Sequence, residues 1–167
     1  NPLLVFAAHS DVVFPDTDPL PLHMEDGKIF CPGVGDDTAS VAALLMAAKY
    51  IAEKNLVPSD FGILIVIDSG EEGLGNLKGC RQIVADYGSR MTALVTIDGA
   101  CLDEIVTVAV GSHRYQVTVK TEGGHSFGSF GKRNAIAYLA SMIDTLYDVK
   151  VPQEGNSRTT YNVGIIS

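Results

Sequence analysis

The sequence predicts an α/β protein, a mostly parallel sheet flanked by helices, followed by the start of a smaller α+β unit. Three observations predict it. Apolar runs without alternation, at residues 3–8, 61–67 and 92–97, are rich in β-branched and aliphatic side chains, as strands buried on both faces should be. Helix-like stretches separate these runs, and right-handed crossovers between them make neighbouring strands parallel. Acidic residues and one histidine recur where the runs stop, which is the edge where such sheets carry their sites.

Residues 3–8 form the first expected strand, delivering His9-Ser10-Asp11 at its carboxyl end. The following stretch from Val13 to Pro32 holds four prolines and a turn expected at Glu25-Asp26-Gly27-Lys28. Gly33-Val34-Gly35-Asp36-Asp37-Thr38 then leads into a helix over residues 39–54, with Thr38 as the expected cap. This helix is nearly apolar from Val41 to Ala48, so cover on more than one side is expected. The strand Phe61–Ile67 runs into Asp68-Ser69-Gly70-Glu71-Glu72-Gly73, where two adjacent carboxylates emerge as the chain turns on glycine. A short helix over residues 76–87 ends at Gly88, and strand 92–97 delivers Asp98-Gly99. Residues 105–110 read as a further strand.

The pattern changes near Gly111, where a domain boundary is expected, dividing the chain into 1–111 and 112–167. Residues 114–120 and 159–166 alternate as half-exposed strands do, around a helix over residues 134–147. A glycine-rich turn, Gly123-Gly124-His125-Ser126-Phe127-Gly128, lies between them. Both ends fall in or beside strand-like runs, so the sequence reads as a portion of a longer protein.

The chain has 167 residues, 46% of them hydrophobic and 19% charged, a globular composition. A formal net charge of -8 argues against nucleic acid or an anionic membrane surface as partner. No apolar run approaches the length of a membrane span. Cys31, Cys80 and Cys101 are odd in number and lack metal-binding spacing, which points to a reducing, cytoplasmic setting and to cysteines serving as core residues.

Neighbouring side chains on a turning backbone point in different directions, so one of Glu71 and Glu72 can bind a cation while the other reaches a water. Taken alone, a Glu-Glu pair is a solvated acidic turn, His9 a buried histidine, and Asp36 and Asp37 helix-capping carboxylates. Together, histidine and carboxylate donors at sheet ends suit zinc, with cobalt or manganese as possible substitutes. Asp11, two residues beyond His9, can accept the proton of the second imidazole nitrogen.

In their order and spacing, His9-Ser10-Asp11, Gly35-Asp36-Asp37, Asp68-Ser69-Gly70-Glu71-Glu72-Gly73 and Asp98-Gly99 resemble the dizinc exopeptidases and deacylases related to peptidase T, carboxypeptidase G and aminoacylase. Gly123-Gly124-His125-Ser126, with Asn134-Ala135-Ile136, resembles the start of that family's lid, or dimerisation, domain, which implies 1–111 as a metal-binding catalytic domain and 112–167 as the first part of that lid, both incomplete. The resemblance implies two zinc ions, His9 and Asp98 on one, Asp36 bridging, and Glu72 on the other. It implies Glu71 as general base, Asp11 orienting His9, His125 stabilising the oxyanion, and a cis peptide between Asp36 and Asp37. The family's last ligand, a histidine on the second metal, has no counterpart here, and His23 and His113 do not stand in its place.

The activity implied is metal-dependent hydrolysis of amide bonds in small peptides, with Asp98 resembling the aminopeptidase and tripeptidase branch, by water activated between two zinc ions. An N-acyl-amino-acid deacylase or carboxypeptidase is the alternative within the family, and a non-catalytic dimerising or peptide-binding module the alternative outside it. The implied partners are a small peptide or acyl-amino-acid substrate and a second copy of the chain, paired through the lid.

Overall fold

The computed structural model describes residues 1–14, 19–99, 103–155 and 157–167, in two compact units, Asn1–Glu104 and Ile105–Ser167. The first unit carries a three-stranded sheet of β1 (Leu3–His9), β4 (Gly62–Asp68) and β5 (Met91–Thr96), in the order β4-β1-β5. Both pairings are parallel, as expected of strands linked by helical crossovers. The central strand β1 meets the expectation of burial on both faces, and Val5 within it is completely buried. The edge strands do not: β4 is half-buried along most of its length and β5 is largely exposed. An apolar run reports the capacity for burial, whereas position in the sheet decides how much of it is realised.

β2 (His23–Glu25) and β3 (Lys28–Phe30) form a hairpin, with Asp26 and Gly27 both at positive φ (48° and 74°). That is the two-residue turn whose twist matches paired strands, and Asp-Gly is its favoured sequence. His23 stacks on Phe30 across the hairpin, with centroids 4.8 Å apart.

Helix α1 (Ala39–Glu53) lies against β1 and β4. The expected capping by Thr38 is absent: its backbone is already helical and its side chain accepts nothing, because the turn Val34–Thr38 runs directly into the helix. Nor is the apolar stretch covered on several sides. Leu44 is buried, but Leu45 and Met46 are exposed. Helix α2 (Lys78–Tyr87) packs Ile83 onto Leu3 and Val5, forming the core with partly buried Leu64, Val66, Met91 and Leu94.

In the second unit, α3 (Ala135–Tyr147) begins at Asn134, whose side-chain oxygen accepts the Ala137 N–H at 3.0 Å. A short pairing of β6 (Gln153–Glu154) and β7 (Ser157–Arg158) follows. The strands expected at 105–110, 114–120 and 159–166 join no ladder among the described residues. Alternation marks which residues share a face, but a strand also needs a partner in register. Tyr115 and Phe130 are exposed, and α3 buries no residue. Cys31 and Cys80 are free and half-buried and belong to no core cluster among the described residues, contrary to expectation, and Cys101 lies outside the described residues. No helix among the described residues is long and apolar enough to cross a membrane.

Candidate metal centre

Because β1, β4 and β5 are parallel, their carboxyl ends deliver His9, Asp68 and Asp98 to one edge of the sheet. The ladder ends at the pair His9–Asp68 and is extended by Ser10, whose N–H and hydroxyl both donate to the Asp68 carbonyl at 3.0 Å. On the other side the Ile97 N–H donates to the Ala7 carbonyl at 2.8 Å, carrying β5 one residue further to Asp98.

Two glycines let flanking turns reach this edge. Gly33 sits at φ +81°, and a Cβ there would collide with the Val12 side chain, so only glycine lets the Val34–Thr38 turn close on the residues after β1. That turn sets Asp36 Oδ1 3.0 Å from His9 Nε2. Gly70, at φ +82°, reverses the chain after β4 and brings Glu71 Oε2 to 4.0 Å from the same nitrogen.

Two sets of donor atoms result. One atom each from His9, Asp36 and Asp98 lie within 4.8 Å of one another, and so do atoms from His9, Glu71 and Glu72. The sequence-expected residues His9, Asp36, Glu71, Glu72 and Asp98 are therefore brought together. The Asp36–Asp37 peptide is cis, as the resemblance implies.

Asp11 departs from expectation in detail. His9 Nδ1 lies 3.0 Å from the Asp11 carbonyl oxygen, and 3.6 Å from the carboxylate, beyond hydrogen-bonding range. The carboxylate is engaged elsewhere, accepting the Glu71 N–H at 3.3 Å and the Glu72 N–H at 3.0 Å. With Nδ1–H held by a carbonyl, Nε2 is the nitrogen left to ligate a metal.

Sequence reasoning passed over Asp37, which it treated as a helix-capping residue. Asp37 is 1% exposed, accepts the His9 backbone N–H through Oδ2 at 3.1 Å, and makes no side-chain cap. Its Oδ1 is buried with no hydrogen-bond partner among the described residues. Asp68 was likewise assigned no role, although it stands at the same edge.

The electrostatics reflect this crowding. Burial raises the pKa of Glu71, and the charges of Glu72, Asp98 and Asp11 add to it against the opposing effect of His9. Asp98 is raised by burial and by Asp37 and Asp36, and Asp68 by burial and by Asp11 and Asp37. Burial alone would lower His9, but the Asp11 carbonyl and the charges of Asp37, Asp98 and Glu71 outweigh it, so its pKa is raised. Burial also opposes ionisation of Asp11, yet the Glu72 and Glu71 N–H groups bring it below the usual range.

One imidazole among clustered carboxylates, with an orphaned buried oxygen beside them, is the donor set a divalent cation would neutralise. Its nitrogen and oxygen atoms fit zinc, cobalt or manganese.

His125 belongs to the second unit. Its Nδ1 accepts the N–H groups of Phe127 at 3.2 Å and Gly128 at 3.4 Å, which leaves the neutral ring's proton on Nε2.

A succinyl-diaminopimelate desuccinylase of Delftia acidovorans is 30% identical over 176 aligned positions, covering 94% of this chain and 43% of that protein. The corresponding protein of Rickettsia bellii (strain OSU 85-389) is 26% identical over 166 positions, 90% of this chain and 42% of its own length. A Legionella pneumophila (strain Lens) desuccinylase is 43% identical over 80 positions, 44% of this chain and 21% of its own. The chain thus spans less than half the length of these curated relatives. Peptidase family M20/M25/M40 matches residues 5–164, through both units. The chain belongs to that family.

Proposed function

We propose that the protein is a metal-dependent amide hydrolase that releases the acyl group of a small N-acylated amino compound. The observation carrying this reading is the convergence of His9, Asp36, Glu71, Glu72 and Asp98 donor atoms at one sheet edge. The acyl-removing direction draws on the relatives named as desuccinylases. His9 Nε2, Asp36 and Asp98 would hold one ion, and Asp36 with Glu72 a second. A divalent ion bound there supplies Lewis-acid polarisation of the carbonyl and lowers the pKa of water.

Glu71 would accept the proton of the attacking water and pass it to the leaving nitrogen. Its Oε2 lies 4.0 Å from His9 Nε2, close enough to reach a water held at this edge of the sheet. His125 would present Nε2–H to the carbonyl oxygen in the active site of the second copy, as negative charge develops there. The second unit would be the lid through which two copies pair.

Aminopeptidase or tripeptidase action is the second reading, favoured by aspartate at position 98. The test is a panel of N-succinyl and other N-acyl amino acids beside di- and tripeptides, hydrolysed by the metal-loaded full-length protein. Glu71→Gln should retain metal while kcat falls by about 10²–10⁴-fold, the usual contribution of a general base. Wild-type turnover in that variant would remove Glu71 from the role.

A further inference from the structure

We propose that the Asp11 carboxylate is the positioning group for the Glu71–Glu72 turn, and that His9 is oriented by the Asp11 main-chain carbonyl instead. Both carboxylate oxygens are committed to the turn. Oδ1 accepts the Glu71 N–H at 3.3 Å and Oδ2 accepts the Glu72 N–H at 3.0 Å. A carboxylate has two acceptor oxygens and no donor, so it can take two consecutive peptide N–H groups in a fork, one on each oxygen. His9 Nδ1 has its acceptor in the Asp11 carbonyl at 3.0 Å, which no side-chain substitution removes.

The need for such a clamp follows from the topology. The β1–β4 ladder stops at His9–Asp68, and Ser10 adds its bonds to the Asp68 carbonyl. Beyond that point the chain turns on Gly70, and no ladder fixes where Glu71 and Glu72 stand relative to His9. Asp11 restores that link, joining the residues after β1 to those after β4 across the gap the ladder leaves.

The inference rests on the metal-hydrolase reading for the roles of Glu71 and Glu72, although the clamp can be tested without it. Asp11→Asn keeps one acceptor oxygen and points an amide nitrogen at the other peptide N–H, and Asp11→Ala removes both acceptors. In the metal-free full-length protein, amide hydrogen exchange at Glu71 and Glu72 should quicken about tenfold or more in both variants. The ¹⁵N signals of the His9 imidazole should hold their wild-type tautomer pattern. In Co²⁺ titrations, the binding step that Glu72→Ala weakens should lose about tenfold in affinity in both Asp11 variants. The step that His9→Ala weakens should stay close to wild type.

Unchanged Glu71 and Glu72 exchange, or a change confined to the His9 imidazole and its binding step, would overturn the inference. A wild-type protein that binds no Co²⁺ would instead defeat the hydrolase reading, while the exchange measurement would still decide the clamp.

Discussion

Removing the Asp37 side chain separates its hydrogen bond from its charge. Asp37 is 1% exposed, and its Oδ2 accepts the buried His9 N–H at 3.1 Å. Asp37→Ala strands that N–H away from water, a loss of about 1–3 kcal/mol for a buried unsatisfied donor. Deleting the orphaned Oδ1 relieves part of this, which places the expected cost toward the lower end. Asp37→Asn keeps an oxygen for the His9 N–H and offers amide hydrogens to the surrounding carboxylates, so its stability should stay within about 0.5 kcal/mol of wild type. Urea unfolding of the metal-free full-length protein measures the difference, and exchange of the His9 amide reads it locally. Both variants lose the charge that faces His9 and Asp98, so metal affinity should fall about tenfold in each. An Asn variant as unstable as the Ala variant would refute the hydrogen-bond assignment, and unchanged metal affinity would refute the electrostatic one.

Other outcomes follow from the same geometry. A Cβ at Gly75 would collide with the Gly70 backbone, so Gly75→Ala should push apart the turn that carries Glu71 and Glu72. Activity and metal content should drop together in that variant, and a fully active, fully loaded one would contradict it. The metal-free protein should lose stability as pH rises above the ordinary histidine value of 6.5. The His9 contribution is complete below its ordinary 6.5 and is lost as pH climbs through the raised folded value. Glu71, Asp98 and Asp68, raised first by burial, also hold their protons more tightly when folded, so their effect has the same direction at lower pH. Asp11 opposes this only below its ordinary 3.8, since its folded value is depressed. Metal should reverse the trend, because its ligands bind deprotonated. A metal-free unfolding midpoint that climbs as pH rises above 6.5 would contradict the His9 shift.

Much of the site was legible because strand ends can be read from where apolar runs stop. His9, Asp68 and Asp98 each follow such a run directly, and parallel pairing carries all three to one edge. The turn at Asp26-Gly27 was legible for a similar reason, since local turn chemistry specifies it, though not the strands it joins. Asp37 was not, because a second aspartate before a helix looks like a cap until the backbone N–H it reaches is known. The same holds for the Asp11 carboxylate, whose partners lie sixty and more residues away in sequence. Burial of β4 and β5 was overread, as composition does not say which strand is central. In the second unit, α3 was legible from its amphipathic pattern over residues 134–147, whereas the alternating runs around it carry no signal for their partners.

The most direct test of the central claim is calorimetric titration of Zn²⁺ into metal-free full-length protein, beside variants at His9 and Asp36, whose Nε2 and Oδ1 stand 3.0 Å apart. Tight binding in wild type, weakened at least about tenfold by His9→Ala and by Asp36→Asn in folded protein, is the predicted result. Zinc affinity indifferent to both substitutions would contradict a metal centre at this edge of the sheet.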